Sequence, residues 1–418
     1  MKKVIVVGGG AAGLIAAGQA AIAGAEVLLL EKMQRPGRKL CITGKGRCNL
    51  TNIAELPDFL AHFGRNGRFL RQAFSRFFTP DLMDFFTGLG LELVTERGGR
   101  VFPASGKAPD VLKVLEKWLT GLGVVSRCTS PVAGLLLDGG RITGILCADR
   151  KIPGDAVILA TGGASYPATG STGDGYALAE AAGHTIVPIR PALVGLVTAG
   201  DTAGKMAGLN LRNIGVRMLV DGKKKRQAFG EIAFTEFGLS GPVTLTCSGE
   251  VVDLLRDGGK VVFSLDLKPA LEEAKLDARL QRDFAARAKE HFDSVLRGLL
   301  PREMVPVCVE ATGIPQDKPA GEITARERRR LRTWTKDFRL EITGHRPLDE
   351  AIVTAGGVHI REIDPRTMES LKIKGLYFAG ELLDIHGDTG GYNLQAAFST
   401  GWLAGRSAAG QEGTDKNL

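Results

Sequence analysis

An α/β fold carrying a β-rich and a helical insertion is what this sequence predicts, and three stretches predict it. Residues 4–31 read as strand, glycine turn, helix and strand: Val4 to Val7 is an apolar run, three glycines follow, an Ala/Leu/Ile-rich segment reaches about Ala23, and Val27 to Leu30 ends in Glu31. The same style returns at 354–409, where Leu376 to Ala379 runs into Gly380-Glu381 and a helix spans about Tyr392 to Ala404. Between them, 190–266 holds short β-like runs divided by glycine turns, and 269–339 is mostly helical with proline breaks.

The first turn has the spacing Gly8-x-Gly10-x-x-Gly13, with Glu31 roughly twenty residues on, as in a Rossmann-like dinucleotide site. Gly8 permits the turn, Gly10 lets backbone approach a pyrophosphate, and Gly13 lets helix and strand pack closely. The free N–H groups at the helix start, with the positive end of its dipole, favour the diphosphate. Glu31 is placed to accept hydrogen bonds from ribose hydroxyls.

Residues 33–52 are dense in glycine and base and read as an extended loop whose Arg38, Lys39, Lys45 and Arg47 flank a diphosphate. Residues 55–121 have helical periodicity, and their aromatic stripe (Phe59, Phe63, Phe74, Phe77, Phe78, Phe85, Phe86) reads as core. Asp138-Gly139-Gly140 between two β-like runs predicts a hairpin. Ala156 to Ala160 is a buried strand ending in Thr161-Gly162-Gly163, a second close approach of backbone to a ligand, and a helix starts near Asp174. In the middle, Val194 to Val197, Val216 to Val220, Val243 to Leu245 and Val261 to Leu265 suggest a small barrel or sandwich. Residues 410–418 read as a frayed tail.

The composition narrows the class. The chain has 418 residues, 44% of them apolar, enough for two or three domains with real cores. It has no run of eighteen apolar residues and no room for a leader before the strand at Val4, which predicts a cytoplasmic protein without a membrane span. The six cysteines form no CxxC pair, so neither a disulfide framework nor a metal site is expected. Residues 190–345 carry 26 Lys/Arg against 21 Asp/Glu, which is +5 of the net +8. Within them KKKR at 223–226 and RERRRLR at 326–332 are either a solvated turn and helix face or a surface for an anionic partner such as RNA.

The segments GGGAAGLIAA, PGRKLCITGKGRCNLTN, ATGGASYPATGSTGDGYALAEAAGH, FTEFGLSGPVTL, TAGGV and GLYFAGELLDIHGDTGGYNLQAAFSTG together resemble the HI0933-like (BaiN/YhiN, aminoacetone-oxidase-type) flavoproteins over nearly the whole chain. The resemblance implies a glutathione-reductase-like FAD-binding domain made of 1–189 and 346–418, a β-barrel-like insertion over 190–268 and a helical one over 269–345. It implies that Gly8, Gly10, Ala12, Gly13, Glu31 and Lys32 hold the ADP half of FAD, with Arg38 and Lys39 beside it and Val132 near the adenine. Thr161 and Gly162 would close over the cofactor. Gly380 and Glu381 would meet the ribityl–diphosphate region, and Gly391, Tyr392, Asn393 and Leu394 the isoalloxazine, where backbone N–H groups favour the negative charge of the reduced ring. His386 departs from the family pattern, standing where an acid is expected.

No second GxGxxG unit is present, so NAD(P)H would visit the flavin transiently. Two residues are candidates to move the proton. Cys48 lies in a basic loop that lowers a thiol's pKa, or is a buried small residue, and His386 lies close to the flavin-facing loop. Three functions stay open. One is hydride transfer to a C=C bond, including reduction of ribosomal RNA uridine to dihydrouridine, with Trp334 as a stacking aromatic. Another is small-molecule work, either amine oxidation or reduction of a steroid- or bile-acid-like double bond. The third is a non-catalytic flavin-bound protein.

Overall fold

A computed structural model describes residues 1–411. The expected tail therefore lies, from residue 412 on, outside the described residues; Gly410, with φ +95°, ends the last helix. The chain forms two compact units, 1–192 with 348–418 and 193–347.

The first unit is built on a five-stranded parallel sheet in the order Leu376–Phe378, Ala156–Leu159, Lys3–Val7, Glu26–Leu30, Val125–Arg127. Parallel strands covered on both faces need continuous apolar runs, and both Val4–Val7 and Ala156–Leu159 are buried at every position. Each Val, Ile or Leu side chain there contributes roughly 1.5–3 kcal/mol by leaving water. The strand from the far end of the chain pairs directly with Ala156–Leu159, Val157 lying opposite Leu376.

The helices Ala11–Ile22 and Tyr392–Ala409 pack with their backbones touching. A Cβ on Gly401 would overlap Ala12 O, and one on Gly405 would overlap Ala16 O. Both glycines sit one turn apart, matching the one-turn step from Ala12 to Ala16, so the two helices run parallel and in register. The aromatic stripe is core as expected: Phe59 is fully buried, with Phe74 and Phe78 edge-on or tilted near 5 Å. The Asp138 hairpin is also present, with Gly139 (φ +53°) and Gly140 (φ +78°) forming the two-residue turn that a left-handed conformation at both positions allows.

Two segments differ from the expectation. Residues 33–52 are not an extended loop throughout, because Arg38–Gly46 is a helix, broken internally where Thr43, Gly44 and Lys45 leave helical geometry. Val243 to Leu245 is not a strand but the start of the helix Pro242–Arg256, in which Pro242 suits the first turn and Val243, Cys247 and Val251 recur every four residues on the buried face.

The second unit is a closed six-stranded barrel of Leu196–Thr198, Gly238–Ser240, Lys223–Thr235, Asn210–Val220, Val261–Asp266 and Phe338–His345 in spatial order. The strand that closes it, Phe338–His345, lies inside the stretch expected to be a helical domain. The helices Glu273–Ala286, Phe292–Leu296, Met304–Thr312 and Ala325–Lys336 are thus an excursion between two neighbouring barrel strands. Leu276, Leu280, Phe284 and Leu331 share one core with Val261, Phe263 and Leu265. Among the described residues no helix is long and apolar enough to cross a membrane.

Candidate active site

The three glycines of the first turn divide by what surrounds them. A Cβ on Gly8 (φ +106°) would overlap Ala160 O, and one on Gly13 would overlap Gly8 O, so protein packing alone demands both. Gly10 is different: its φ of −82° suits any residue, and a Cβ there would meet no atom within 4 Å. Gly10 therefore faces open space directly above the start of helix Ala11–Ile22, whose first turn has no side-chain cap. Uncapped N–H groups, an aligned dipole and room at the backbone suit a phosphate.

The surroundings supply the matching charge. Gly37 N–H donates to Gly9 O (2.8 Å), tying the start of helix Arg38–Gly46 to the turn. Its first residue, Arg38, has no hydrogen-bond or ion-pair partner among the described residues. Glu31 Oε2 accepts from Gly9 N–H and Oε1 from Met33 N–H, both at 2.8 Å, which fixes the carboxylate while leaving each oxygen a second lone pair. Ser130 N–H donates to Glu31 O (2.9 Å), bringing the strand that begins at Val132 to this same end. Lys32 holds Asp174 (2.9 Å) and Thr172, so its charge is already matched within the protein.

At the carboxyl ends of the central strands, Lys39 Nζ reaches Glu381 Oε2 (2.6 Å) and Ser165 Oγ (2.7 Å). Thr354 N–H donates to Glu381 Oε1 (2.8 Å), and Thr354 Oγ1 accepts from Ala164 N–H (2.8 Å). Lys39 and Glu381 thus neutralise each other. Together these bonds link the segments at 39, 164–165, 354 and 381. Thr161 Oγ1, packed on Gly175, and Asn49 Oδ1 are buried with no hydrogen-bond partner among the described residues, and Gly162 (φ +77°) turns the backbone.

The parallel helices set the remaining distance. Gly401 is level with Ala12, and the C-terminal helix begins nine residues earlier, at Tyr392, so its N-terminus lies about 13 Å beyond that level on the same side. Its cap, Gly391 (φ +102°), has no side-chain hydrogen bond and lies on the Thr51 backbone. Gly380, where a Cβ would come 2.9 Å from Ala12 Cβ and 3.9 Å from Ala397 Cβ, sits between the start of the first helix and the second turn of the C-terminal one. Two uncapped N-termini therefore point to the same side. Asn393 spends its side chain on Gly387 N–H, Gly387 O and Asp388 O, so at 391–394, Leu394 included, backbone N–H groups are what remains to meet a ring.

The proton candidates fare unequally. Cys48 is wholly buried, and burial pushes its thiol up to about 12, with a Thr43 hydrogen bond opposing the rise. The expected lowering fails because Arg47 is engaged elsewhere, paired with Glu96 and stacked 4.3 Å from the centre of the Phe102 ring, and Lys45 points to solvent. Cys48 is a packing residue. His386 is half-buried in the loop before Gly391. Reading the sequence misses His62, whose Nδ1 lies 2.8 Å from Asp388 Oδ2 and whose ring stacks 3.9 Å from that of Tyr392. No local pattern announces it, since its partners lie more than three hundred residues away, Asp388 being 326 positions on.

A flavin dinucleotide fits this frame. The fold and the site define the class: an FAD-dependent oxidoreductase built on a Rossmann-type sheet. The family described as HI0933-like protein Rossmann domain matches residues 2–407, and the chain belongs to that family. A 3-dehydro-bile acid delta(4,6)-reductase of Clostridium scindens is 35% identical over 98% of this chain and 99% of its own length. A ribosomal RNA dihydrouridine synthase of Escherichia coli is 30% identical over 95% and 96%. The open conformation of a flavocytochrome c3 fumarate reductase shares the fold with TM-score 0.51 and 17% identity, over 98% of this chain and 78% of that one.

Proposed function

We propose that this protein reduces a C=C bond conjugated to a carbonyl, with uridine in ribosomal RNA as substrate and NAD(P)H as the transient electron donor, in the cytoplasm. The names of the two relatives share that chemistry: both describe saturation of a double bond in an unsaturated ring. The observation that carries the reading is the pair of uncapped helix N-termini held in register by Gly401 and Gly405, one for the diphosphate and one for a ring that gains negative charge on reduction. Bound FAD supplies hydride. The chain would hold the cofactor at Gly10, Ala12, Glu31, Arg38, Thr161, Gly162, Gly380 and the backbone at 391–394, with Gly8 and Gly13 shaping the first turn.

RNA as the substrate is supported by the second unit. Phe229, 66% exposed, stands opposite Gly215 on the Asn210–Val220/Lys223–Thr235 hairpin, whose turn end carries the exposed Lys223, Lys224 and Lys225. An exposed aromatic on a strand that also carries cations suits base stacking and phosphate contact. Trp334 does not serve that purpose, since it packs on Phe338 (4.9 Å) against the barrel core. On helix Ala325–Lys336, Arg328 and Arg332 are held by Asp277, leaving Arg326, Arg329 and Arg330 outward. Mass spectrometry of ribosomal RNA from cells lacking the protein tests the reading: a uridine should lose its two-hydrogen increment. Unchanged RNA together with turnover of a bile-acid-like enone would move the substrate to small molecules, and peroxide release with amines would move it to amine oxidation.

A further inference from the structure

Reducing a conjugated C=C bond takes a hydride and a proton. With Cys48 buried, the proton needs another source. We infer that His62, oriented by Asp388, is the general acid of this site, an assignment that rests on the C=C-reduction reading.

Four observations carry it. Asp388 Oδ2 sits 2.8 Å from His62 Nδ1, and Asp388 N–H donates back to His62 O (3.1 Å), a two-point tie that keeps the proton on Nδ1 and leaves Nε2 to exchange. The imidazole lies nearly flat on Tyr392, 3.9 Å between ring centres and 23° between planes, so its direction is fixed as well as its tautomer. Nε2 has no hydrogen-bond partner among the described residues, and the side chain is 35% exposed, so the nitrogen is reachable. Finally, Tyr392 is the first residue of the helix whose uncapped N-terminus the proposed function assigns to the flavin ring, and Asn393 staples the loop bearing Asp388 to that same turn.

Other titratable groups on the segments around His62 and Asp388 include Asp58, Arg65, Asp384, His386 and Tyr392. Asp384 Oδ2 is bonded to Asn66 Nδ2 (3.1 Å). The Tyr392 phenol is pushed above its ordinary range by burial, with Asp388 and Asp58 adding to the rise, and is a weaker acid than an imidazolium near neutral pH. In the step itself, the substrate carbon β to the carbonyl gains the hydride supplied by reduced flavin. The C=C electron pair forms the new bond from the α-carbon to the Nε2 proton, the N–H bond breaks, and His62 is left neutral with Nδ1–H on Asp388. Water restores the proton. Substrate gains two electrons, flavin loses two, and His62 is unchanged over the cycle.

The test uses flavin-loaded protein, wild type and the H62Q and D388N variants, in two measurements. Flavin reduced with dithionite is mixed anaerobically with a 4-en-3-one steroid or a uridine-containing RNA fragment, and reoxidation is followed over pH. The wild-type rate should fall with rising pH. H62Q should be slower by 10²–10⁴-fold, as general acids are worth, and lose that pH dependence, with flavin content retained. Histidine nitrogen NMR of the same samples should show neutral His62 as the Nδ1–H tautomer in wild type and a shift toward Nε2–H in D388N. H62Q with wild-type rate and pH profile, or Nε2–H in the wild type, overturns the assignment alone. Wild-type protein that reoxidises with neither probe overturns the C=C reading and this role with it.

Discussion

Lys39 Nζ and Glu381 Oε2 lie 2.6 Å apart across 342 positions of sequence. This ion pair is where the front of the chain and its tail close on each other, at the end of the strand that abuts the first helix through Gly380. The side chains are 23% and 20% exposed, so solvent screens the pair only in part.

Lys39→Met should therefore weaken both stability and flavin retention, because Glu381 keeps its charge with only Thr354 N–H and Ser165 to satisfy it. A double-mutant cycle with Glu381→Leu, read by thermal unfolding of the flavin-free protein, should give a coupling of roughly 0.5–3 kcal/mol. Additive effects would mean that the pair does not hold the two ends.

Gly10→Val and Gly13→Val should separate cofactor binding from folding. Gly10 has ordinary backbone geometry and open space, so its valine variant should fold with near-normal stability and lose the visible flavin spectrum. Gly13→Val drives a side chain into Gly8 O and should lose about 1–3 kcal/mol or more. Absorbance and chemical denaturation measure the two effects.

Cys48→Ala should keep flavin and turnover at a cost of about 1 kcal/mol in packing. Its thiol titrates near 12 in the fold against 9.0 unperturbed, so the folded state favours the neutral form. That contribution is complete below pH 9.0 and is lost as pH rises toward about 12, and Cys308, also pushed up to about 12 by burial, acts in the same sense. The alkaline fall in melting temperature should be shallower in Cys48→Ala.

The legible part of this site was local. Gly8, Gly10, Gly13 and Glu31 fall within one strand–turn–helix–strand unit, where spacing alone implies geometry. The buried strand ending at Thr161 and the helix starting at Tyr392 announce themselves by apolar runs and glycines. What spacing hides is who neutralises whom: Arg47 belongs to Glu96, Lys39 to Glu381 and His62 to Asp388, and each partner comes from another segment. The strand Phe338–His345 was readable in principle, since Phe338, Leu340 and Ile342 alternate inward, but its position after a helical stretch disguised it.

Phe229→Ala should weaken binding of a uridine-rich RNA by about 1–3 kcal/mol with little change in salt dependence. Lys223→Ala and Lys225→Ala should each flatten the slope of log affinity against log salt by about one. Arg328→Ala should instead destabilise the second unit, because Arg328 Nε holds Asp277 (3.0 Å). Anisotropy titrations over salt, with thermal melts alongside, distinguish these effects.

A crystal structure of the flavin-loaded protein tests most directly that both chain ends form one flavin cleft. The diphosphate should lie on the N–H groups of the turn after Gly10, with Arg38 beside it, and the pyrimidine edge of the isoalloxazine should meet the backbone N–H groups at 391–394. A flavin seated with its ring away from Tyr392, or bound without touching the segment from Gly380 onward, would contradict the cleft and the chemistry assigned to it.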